Sequence, residues 1–225
     1  MTGIAAVFTA LCAAFGAAFT ASSIRKAYGR AFWLKGLAGL CFVAVGLSLA
    51  IERAGLAYPR LIFFGLVLGL IGDQLLAMRH LYAERGTVFF VCGAAAFAIG
   101  HVLYLDAMWG VDSGAWLFAL PVLAAGLALG GSYLLRQKLD AGRLLVPGVC
   151  YIALVMAVAA MGVSLLLRGQ GLRGLLLALG GVSFAVSDCV LCVYCFGTER
   201  TARGNIIVHA TYYAAQLLIA WSIAA

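Results

Sequence analysis

Charge is what this chain has least of. Asp, Glu, Lys and Arg make up 10% of its 225 residues, against roughly 25% in an ordinary soluble domain. That leaves too little polar surface to face water, and a mean hydropathy of +1.10 says the same. Proline is scarce too, with 3 in the whole chain, and there is no low-complexity tract. The chain therefore shows no linker and no appended soluble domain. The first apolar run has no basic stretch ahead of it, so it reads as a first span rather than a cleavable signal. No P-loop, dinucleotide fingerprint or GxSxG elbow is present, which counts against nucleotide-driven pumps and serine hydrolases. The seven cysteines lie mostly inside apolar runs, where they act as small buried residues rather than as a disulfide framework.

What remains is long apolar runs. A helical span needs roughly 20 apolar residues. Scanning between charged or turn-like breaks gives eight runs: Gly3–Ala21, Ala31–Ala50, Leu61–Met78, Thr87–Met108, Ala115–Leu135, Leu144–Leu167, Leu172–Phe196 and Asn205–Ile223. The predicted fold is all-α, a single polytopic membrane domain of eight transmembrane helices over residues 1–225. The net charge of +7 is read through its placement between spans, not as affinity for nucleic acid. Odd-numbered connections hold Arg25, Lys26, Arg30, Lys35, Arg79, Arg85, Arg136, Lys138, Arg143, Arg200 and Arg203. Even-numbered ones hold Arg53, Arg60, Arg168 and Arg173. The excess of 11 over 4 puts the odd connections in the cytoplasm and both termini outside.

Two aspartates interrupt these runs. Asp73 lies in GLVLGLIGDQLLAM and Asp188 in GGVSFAVSDCVLCVYCF. An ionisable group in a membrane span is costly, and its default reading is a functional site. The plain alternative is a carboxyl that only fastens helices through hydrogen bonds. The predicted topology puts both acids at a similar depth in the cytoplasmic half. Gly65 and Gly69 form a small-residue stripe on the Asp73 face, which turns that face toward the bundle. In low dielectric the ionised form of a carboxyl is disfavoured, and two neighbours resist ionising together. A pair therefore supplies one proton donor and one acceptor, the combination that acid–base hydrolysis requires.

Other polar residues cluster with them. Lys35, near the start of the second span, is placed to reach Asp73 or an anionic headgroup; alone it would read as a snorkelling interfacial lysine. His101 and Tyr104 share one helical face. His209, Tyr212, Tyr213 and Gln216 form a polar stripe on the last span, read as the lining of a polar cavity. Asp73, His101, Asp188 and His209 are acceptable metal ligands, but no HxxxH or HExxH spacing supports them, so no metal is expected. Cys189, Cys192 and Cys195 read as packing residues. A faint echo links Gly72-Asp73-x-x-Leu76 and His101-x-x-Tyr104 with Ser187-Asp188-x-x-Leu191 and His209-x-x-Tyr212. It leaves two parallel four-helix halves open beside a plain eight-helix bundle.

At these residues the sequence resembles the YhhN family of polytopic membrane proteins, which includes the lysoplasmalogenases. The matching segments are FWLKGL around Lys35, GLVLGLIGDQLLAM around Asp73 and GHVLYL around His101 and Tyr104. Further on come VPGVCYIALVMAVAAM with Tyr151, FAVSDCVLCVYCF with Ser187 and Asp188, and TYYAAQLLIAWS with Tyr212 and Gln216. Gly36 stands where a proline is expected after the lysine, and His209 and the cysteine run are not features of the family pattern. The resemblance implies a hydrolase that cleaves the vinyl ether bond of lysoplasmalogens to a fatty aldehyde and glycerophosphocholine or glycerophosphoethanolamine, without a cofactor. Asp73 and Asp188 would be its catalytic carboxyls, with Lys35, Tyr151, Ser187, Tyr212 and Gln216 in support. A bacterial plasma membrane is the expected location. The competing class is a proton-coupled transporter or other lipid-handling protein that titrates the same aspartates. Orientation has a direct test: a compartment-sensitive reporter fused after Ala225 should be active only outside, and activity confined to the cytoplasm would overturn the assignment.

Overall fold

The computed structural model describes residues 2–53, 55–137, 139–197 and 201–225, and the described residues form helices and turns without a strand. Eight long helices follow in order: α1 Thr2–Ile24, α2 Tyr28–Ala50, α3 Ala57–Leu81, α4 Gly86–Val111, α5 Trp116–Leu135, α6 Leu145–Leu167, α7 Gly171–Phe196 and α8 Ala202–Trp221. Seven are long and apolar enough to cross a membrane. The eighth is long enough but too polar, because Arg203, Asn205, His209 and Gln216 fall within its twenty residues. The chain is an integral multi-pass membrane protein.

The helices overrun the apolar stretches that predict them. α3 begins at Ala57 and ends at Leu81, not at Leu61 and Met78, and α2 begins at Tyr28 rather than Ala31. Backbone hydrogen bonding does not stop where hydropathy drops, so the helix continues into the interface. α8 shifts the other way, from Asn205–Ile223 to Ala202–Trp221. Its start is set by Thr201, whose hydroxyl accepts from the Gly204 amide at 3.0 Å, a side-chain N-cap. Two of the three prolines sit in the first turn of a helix, Pro59 in α3 and Pro147 in α6, where their missing N–H costs nothing. α2 runs unbroken through Gly36, where a proline would have bent it.

Packing follows a closed circuit: α1 on α2, α2 on α3, α3 on α4, α4 on α6, α6 on α7, α7 on α8, and α8 back on α1. α8 also touches α2 and α3. α5 stands outside the circuit against α6 and α7 and buries none of its residues. The two halves thus have unlike neighbours, since α1 closes on α8 while α5 is peripheral. α6 and α7 approach backbone to backbone. Gly162 faces the Leu177 carbonyl and Gly181 faces the Ala159 backbone. With no hydrophobic drive between helices in lipid, such close contact is what holds a bundle together.

The face formed by the α2–α3, α4–α5 and α6–α7 connections is tied by arginines. Arg53 donates to the Ala224 carbonyl at 3.1 Å, Arg173 to the Ala225 carbonyl at 3.0 Å, and Arg168 pairs with Asp112. The Arg168 guanidinium holds the Asp112 carboxyl below the usual carboxylate range. Stability from this clamp is therefore present above that range and is lost as pH falls below it, through the lowered value of the folded carboxyl. Lys138 and Arg200, counted for orientation, lie outside the described residues. The α6–α7 contact makes one prediction. A methyl added at Gly162 would sit 2.5 Å from the Leu177 carbonyl, so Gly162→Ala should cost about 1–3 kcal/mol. It would be read as a lower detergent melting temperature, and an unchanged melt would contradict the packing.

Candidate functional site

Each of the two aspartates lies eight residues before the C-terminal end of its helix, Asp73 in α3 (81 − 73) and Asp188 in α7 (196 − 188). Both ends point to the face of the odd-numbered connections. At ~1.5 Å per residue each carboxyl is about 12 Å below that end. Lys35 is seven residues into α2, which starts from the same face. Equal depth follows from equal spacing on helices that run in the same direction.

Both acids line one small cavity of about 50 Å³, together with Lys35, His101, Tyr151, Ser187, His209 and Tyr212. Phe97 and Phe184 supply its apolar walls. The space suffices for one or a few waters and is far too small for a lipid.

The two carboxyls are bonded differently. Lys35 Nζ lies 2.9 Å from Asp73 Oδ1, and both side chains are almost fully buried, at 8% and 3% exposure. Asp188 has no cation paired with it among the described residues. Its Oδ2 accepts from the Tyr151 hydroxyl at 2.8 Å. Three charged residues are buried among the described residues, two acids and one base, and the base is spent on Asp73.

A second layer fixes the pair. Tyr104 donates to Gln216 Oε1 at 2.8 Å, Gln216 Nε2 donates to the Tyr212 hydroxyl at 2.9 Å, and Tyr212 donates to the Gly69 carbonyl at 3.4 Å. This relay runs from α4 through α8 to α3, one turn below Asp73. It fits only because α3 lacks side chains there: a Cβ at Gly65 would collide with the Tyr104 ring, and one at Gly69 with the Gln216 amide. The glycine stripe thus admits polar side chains from α4 and α8 as well as turning Asp73 inward. Ser187 donates to the Val208 carbonyl at 3.0 Å and pins α7 to α8.

Not every expected residue lines the cavity. Tyr104 and Gln216 stand behind it in the relay. Tyr213 points the other way, against Gly16 and Phe19 of α1, and its hydroxyl has no partner among the described residues. His209 lines the cavity and packs edge-on to Phe19 at 4.6 Å. His101 Nδ1 bonds the Phe97 carbonyl at 2.7 Å, and its ring meets Phe184 at 4.9 Å. Its Nε2 and Asp73 Oδ2 are buried without a partner among the described residues. Unpaired buried polar atoms are rare, and both of these residues line the cavity, so it is polar enough to hold water or a substrate oxygen. Among the described residues no three His, Cys, Asp or Glu side chains come together as a metal site, the cysteine run included.

Two larger spaces adjoin the cavity. A pocket of about 460 Å³ opens toward the odd-numbered connections and shares Lys35 and His209 with it. A slot of about 380 Å³ between α4, α6 and α7 shares Asp188, Tyr151, Phe97 and Leu191, and its remaining walls are apolar, from Phe90, Pro147, Leu154 and Phe196. The slot's walls are ordinary apolar residues with no mark in the sequence. Asn205 and Tyr194 of the polar pocket could have been found as polar side chains in apolar company.

The Lys35–Asp73 pair is open to a direct test. Removing one partner of a buried ion pair costs about 3–5 kcal/mol, because a charge is left uncompensated. Lys35→Met should therefore lower the detergent melting temperature sharply, and Lys35→Met/Asp73→Asn together should recover most of the loss. Additive losses would contradict the pairing.

With the geometry in hand, the chain can be set beside known proteins. The YhhN family model matches residues 31–223, nearly everything after α1. The chain is 34% identical over 167 residues to a Bos taurus protein named Lysoplasmalogenase TMEM86A, covering 72% of this chain and 64% of that protein. It is 31% identical over 165 residues to a Homo sapiens protein named Lysoplasmalogenase TMEM86B, covering 73% and 64%. It thus spans a little under two thirds of the length of these curated relatives. No solved structure matches it significantly. The match over residues 31–223 takes in Lys35, Asp73, Asp188 and the α8 relay, and the chain belongs to the YhhN family.

Proposed function

We propose that this protein is a membrane-embedded lysoplasmalogenase-like hydrolase that cleaves the vinyl ether bond of a lysophospholipid. The observation that carries the reading is the unequal pair of carboxyls on one cavity: Asp73 compensated by Lys35, and Asp188 held only by a phenol. Support also comes from the relatives named lysoplasmalogenase.

Vinyl ether hydrolysis needs what such a pair offers. A proton goes to the β-carbon of the enol ether, and the α-carbon becomes an oxocarbenium ion. Water adds to that carbon and loses a proton. The resulting hemiacetal collapses to a fatty aldehyde and a glycerophospho-alcohol. The need for one acid and one base or stabilising carboxylate parallels the logic of glycosidases. Asp188 is assigned as the proton donor, since no cation among the described residues pairs with it and it borders the apolar slot as well as the cavity. Asp73, matched by Lys35, is the carboxylate that stabilises the cation or takes the proton from water. The cavity is sized for that water. The alkenyl chain lies in the α4–α6–α7 slot, the headgroup lies in the larger polar pocket, and the bond between them crosses the acids. The odd-numbered connections face the cytoplasm in this reading, so the headgroup stays on that side.

The test uses purified protein and a panel of vinyl ether, alkyl ether and acyl lysophospholipids, with products identified by mass spectrometry. Aldehyde should appear only from the vinyl ether. Asp188→Asn and Asp73→Asn should each lower the rate at least a hundredfold in protein that still melts cooperatively. Full cleavage by either folded variant would overturn the assignment. Movement of an intact lipid across a vesicle with no aldehyde would favour the transporter reading instead.

A further inference from the structure

Three spaces meet beside the acids, and two side chains stand between them. Among the described residues, only Leu76 and Leu191 border the polar pocket, the cavity and the apolar slot together. No other described residue is shared by the pocket and the slot. Each leucine lies three residues past an aspartate, Leu76 (76 − 73) on α3 and Leu191 (191 − 188) on α7. That spacing keeps leucine and acid on one helical face, about 4.5 Å apart along the axis. Both helices run to the odd-numbered face, so the two leucines stand at one height, between that face and the carboxyls. α3 and α7 are not neighbours in the packing circuit, so the leucines face a gap between helices.

Both positions are braced. Leu76 lies against α4 at Gly93, where a Cβ would come within 3.1 Å of its Cγ. Leu191 is one turn past Ser187, whose bond to the Val208 carbonyl pins α7 to α8. The cavity meets the pocket through Lys35 and His209, and it meets the slot through Asp188 and Tyr151. The way from pocket to slot thus runs beneath the leucines and past the acids.

The chemistry of a glycerolipid gives that division a meaning. Glycerol C1 carries the vinyl ether, C3 carries the phosphate, and C2 lies between them. With the alkenyl chain in the slot, the vinyl ether at the acids and the phosphate in the polar pocket, C2 rests on the pocket side of the leucines. A hydroxyl on C2 stays in polar surroundings. A long acyl chain on C2 has to return to apolar surroundings, and the slot lies beyond Leu76 and Leu191. The cavity beneath them, about 50 Å³, has no room for a second chain beside the first.

On the reading of the site given above, we infer that Leu76 and Leu191 determine specificity by barring a long acyl chain at glycerol C2. The selection is by length and not by the ester itself. An acetyl group is short enough to remain in the pocket, whereas a hexanoyl chain has to cross.

The experiment has a kinetic arm and a binding arm. The first measures aldehyde from 1-alkenyl-glycerophosphocholines with a hydroxyl, acetyl or hexanoyl group at C2. Wild-type kcat/KM should be similar for hydroxyl and acetyl, and lower by roughly tenfold or more for hexanoyl. Leu76→Ala and Leu191→Ala should each raise the hexanoyl-to-hydroxyl ratio roughly tenfold, and Leu191→Phe should lower it further. Lost packing alone would slow all three substrates alike, so an unchanged ratio in the folded alanine variants overturns the inference. Equal wild-type rates for hydroxyl and hexanoyl, or acetyl rejected as fully as hexanoyl, overturns it as well. If Leu76→Ala fails to fold, the two Leu191 variants decide. The binding arm uses Asp188→Asn protein and non-hydrolysable 1-alkyl analogues with the same three groups, read as melting shifts. The hexanoyl analogue should stabilise only when Leu191→Ala is added. If no substrate is cleaved and that pattern still holds, the hydrolase reading fails while the role of the leucines stands. Cleavage of the hydroxyl substrate without that pattern keeps the hydrolase reading and overturns the inference.

Discussion

A charge buried between helices in lipid needs a counter-charge, and among the described residues there is one fewer buried cation than there are buried acids. Lys35 meets Asp73 at 2.9 Å, and Asp188 is left with a phenol. Taking a lone carboxylate out of water costs several kcal/mol, so a matched and an unmatched acid on one cavity cannot behave alike. The asymmetry is built from ordinary placement. Lys35 is on α2, and α2 starts from the face at which α3 and α7 end, so one lysine reaches one of two acids at equal depth.

The rest of the bundle serves that arrangement. The relay from Tyr104 through Gln216 to Tyr212 stiffens the floor beneath Asp73, and glycine at 65 and 69 makes room for it. Ser187 and the α6–α7 glycine contacts hold α7, and with it Asp188. Buried polar groups in such a network are satisfied by one another. Of the buried polar atoms without a partner among the described residues, Asp73 Oδ2 and His101 Nε2 belong to residues on the cavity, where a ligand or water would complete them.

Much of this was legible in the sequence for a simple reason. In lipid a polar side chain is conspicuous, so Asp73, Asp188, Lys35, His101 and the α8 stripe stand out against their runs. The eight helices were legible because backbone in lipid must close its own hydrogen bonds. Partners were less so. Nothing in the spacing says that Tyr104 bonds Gln216 rather than His101, or that Tyr213 turns toward α1, because those outcomes depend on which helix lies next to which. The peripheral place of α5 was hidden for the same reason: its run is as apolar as any other. The slot between α4, α6 and α7 is lined by residues that look like lipid-facing ones, and only packing distinguishes the two.

α8 is where these strands meet. By apolarity it falls short of a span, yet it touches four helices, α1, α2, α3 and α7. A helix surrounded by protein does not need to satisfy lipid, so it can carry Asn205, His209, Tyr212 and Gln216 that an outer helix could not. The reverse holds for α5, which buries nothing and carries no polar side chain of the cavity. Local rules of composition tend to give way where function resides. In this chain the helix that departs furthest from the expected membrane pattern supplies the polar wall facing both aspartates.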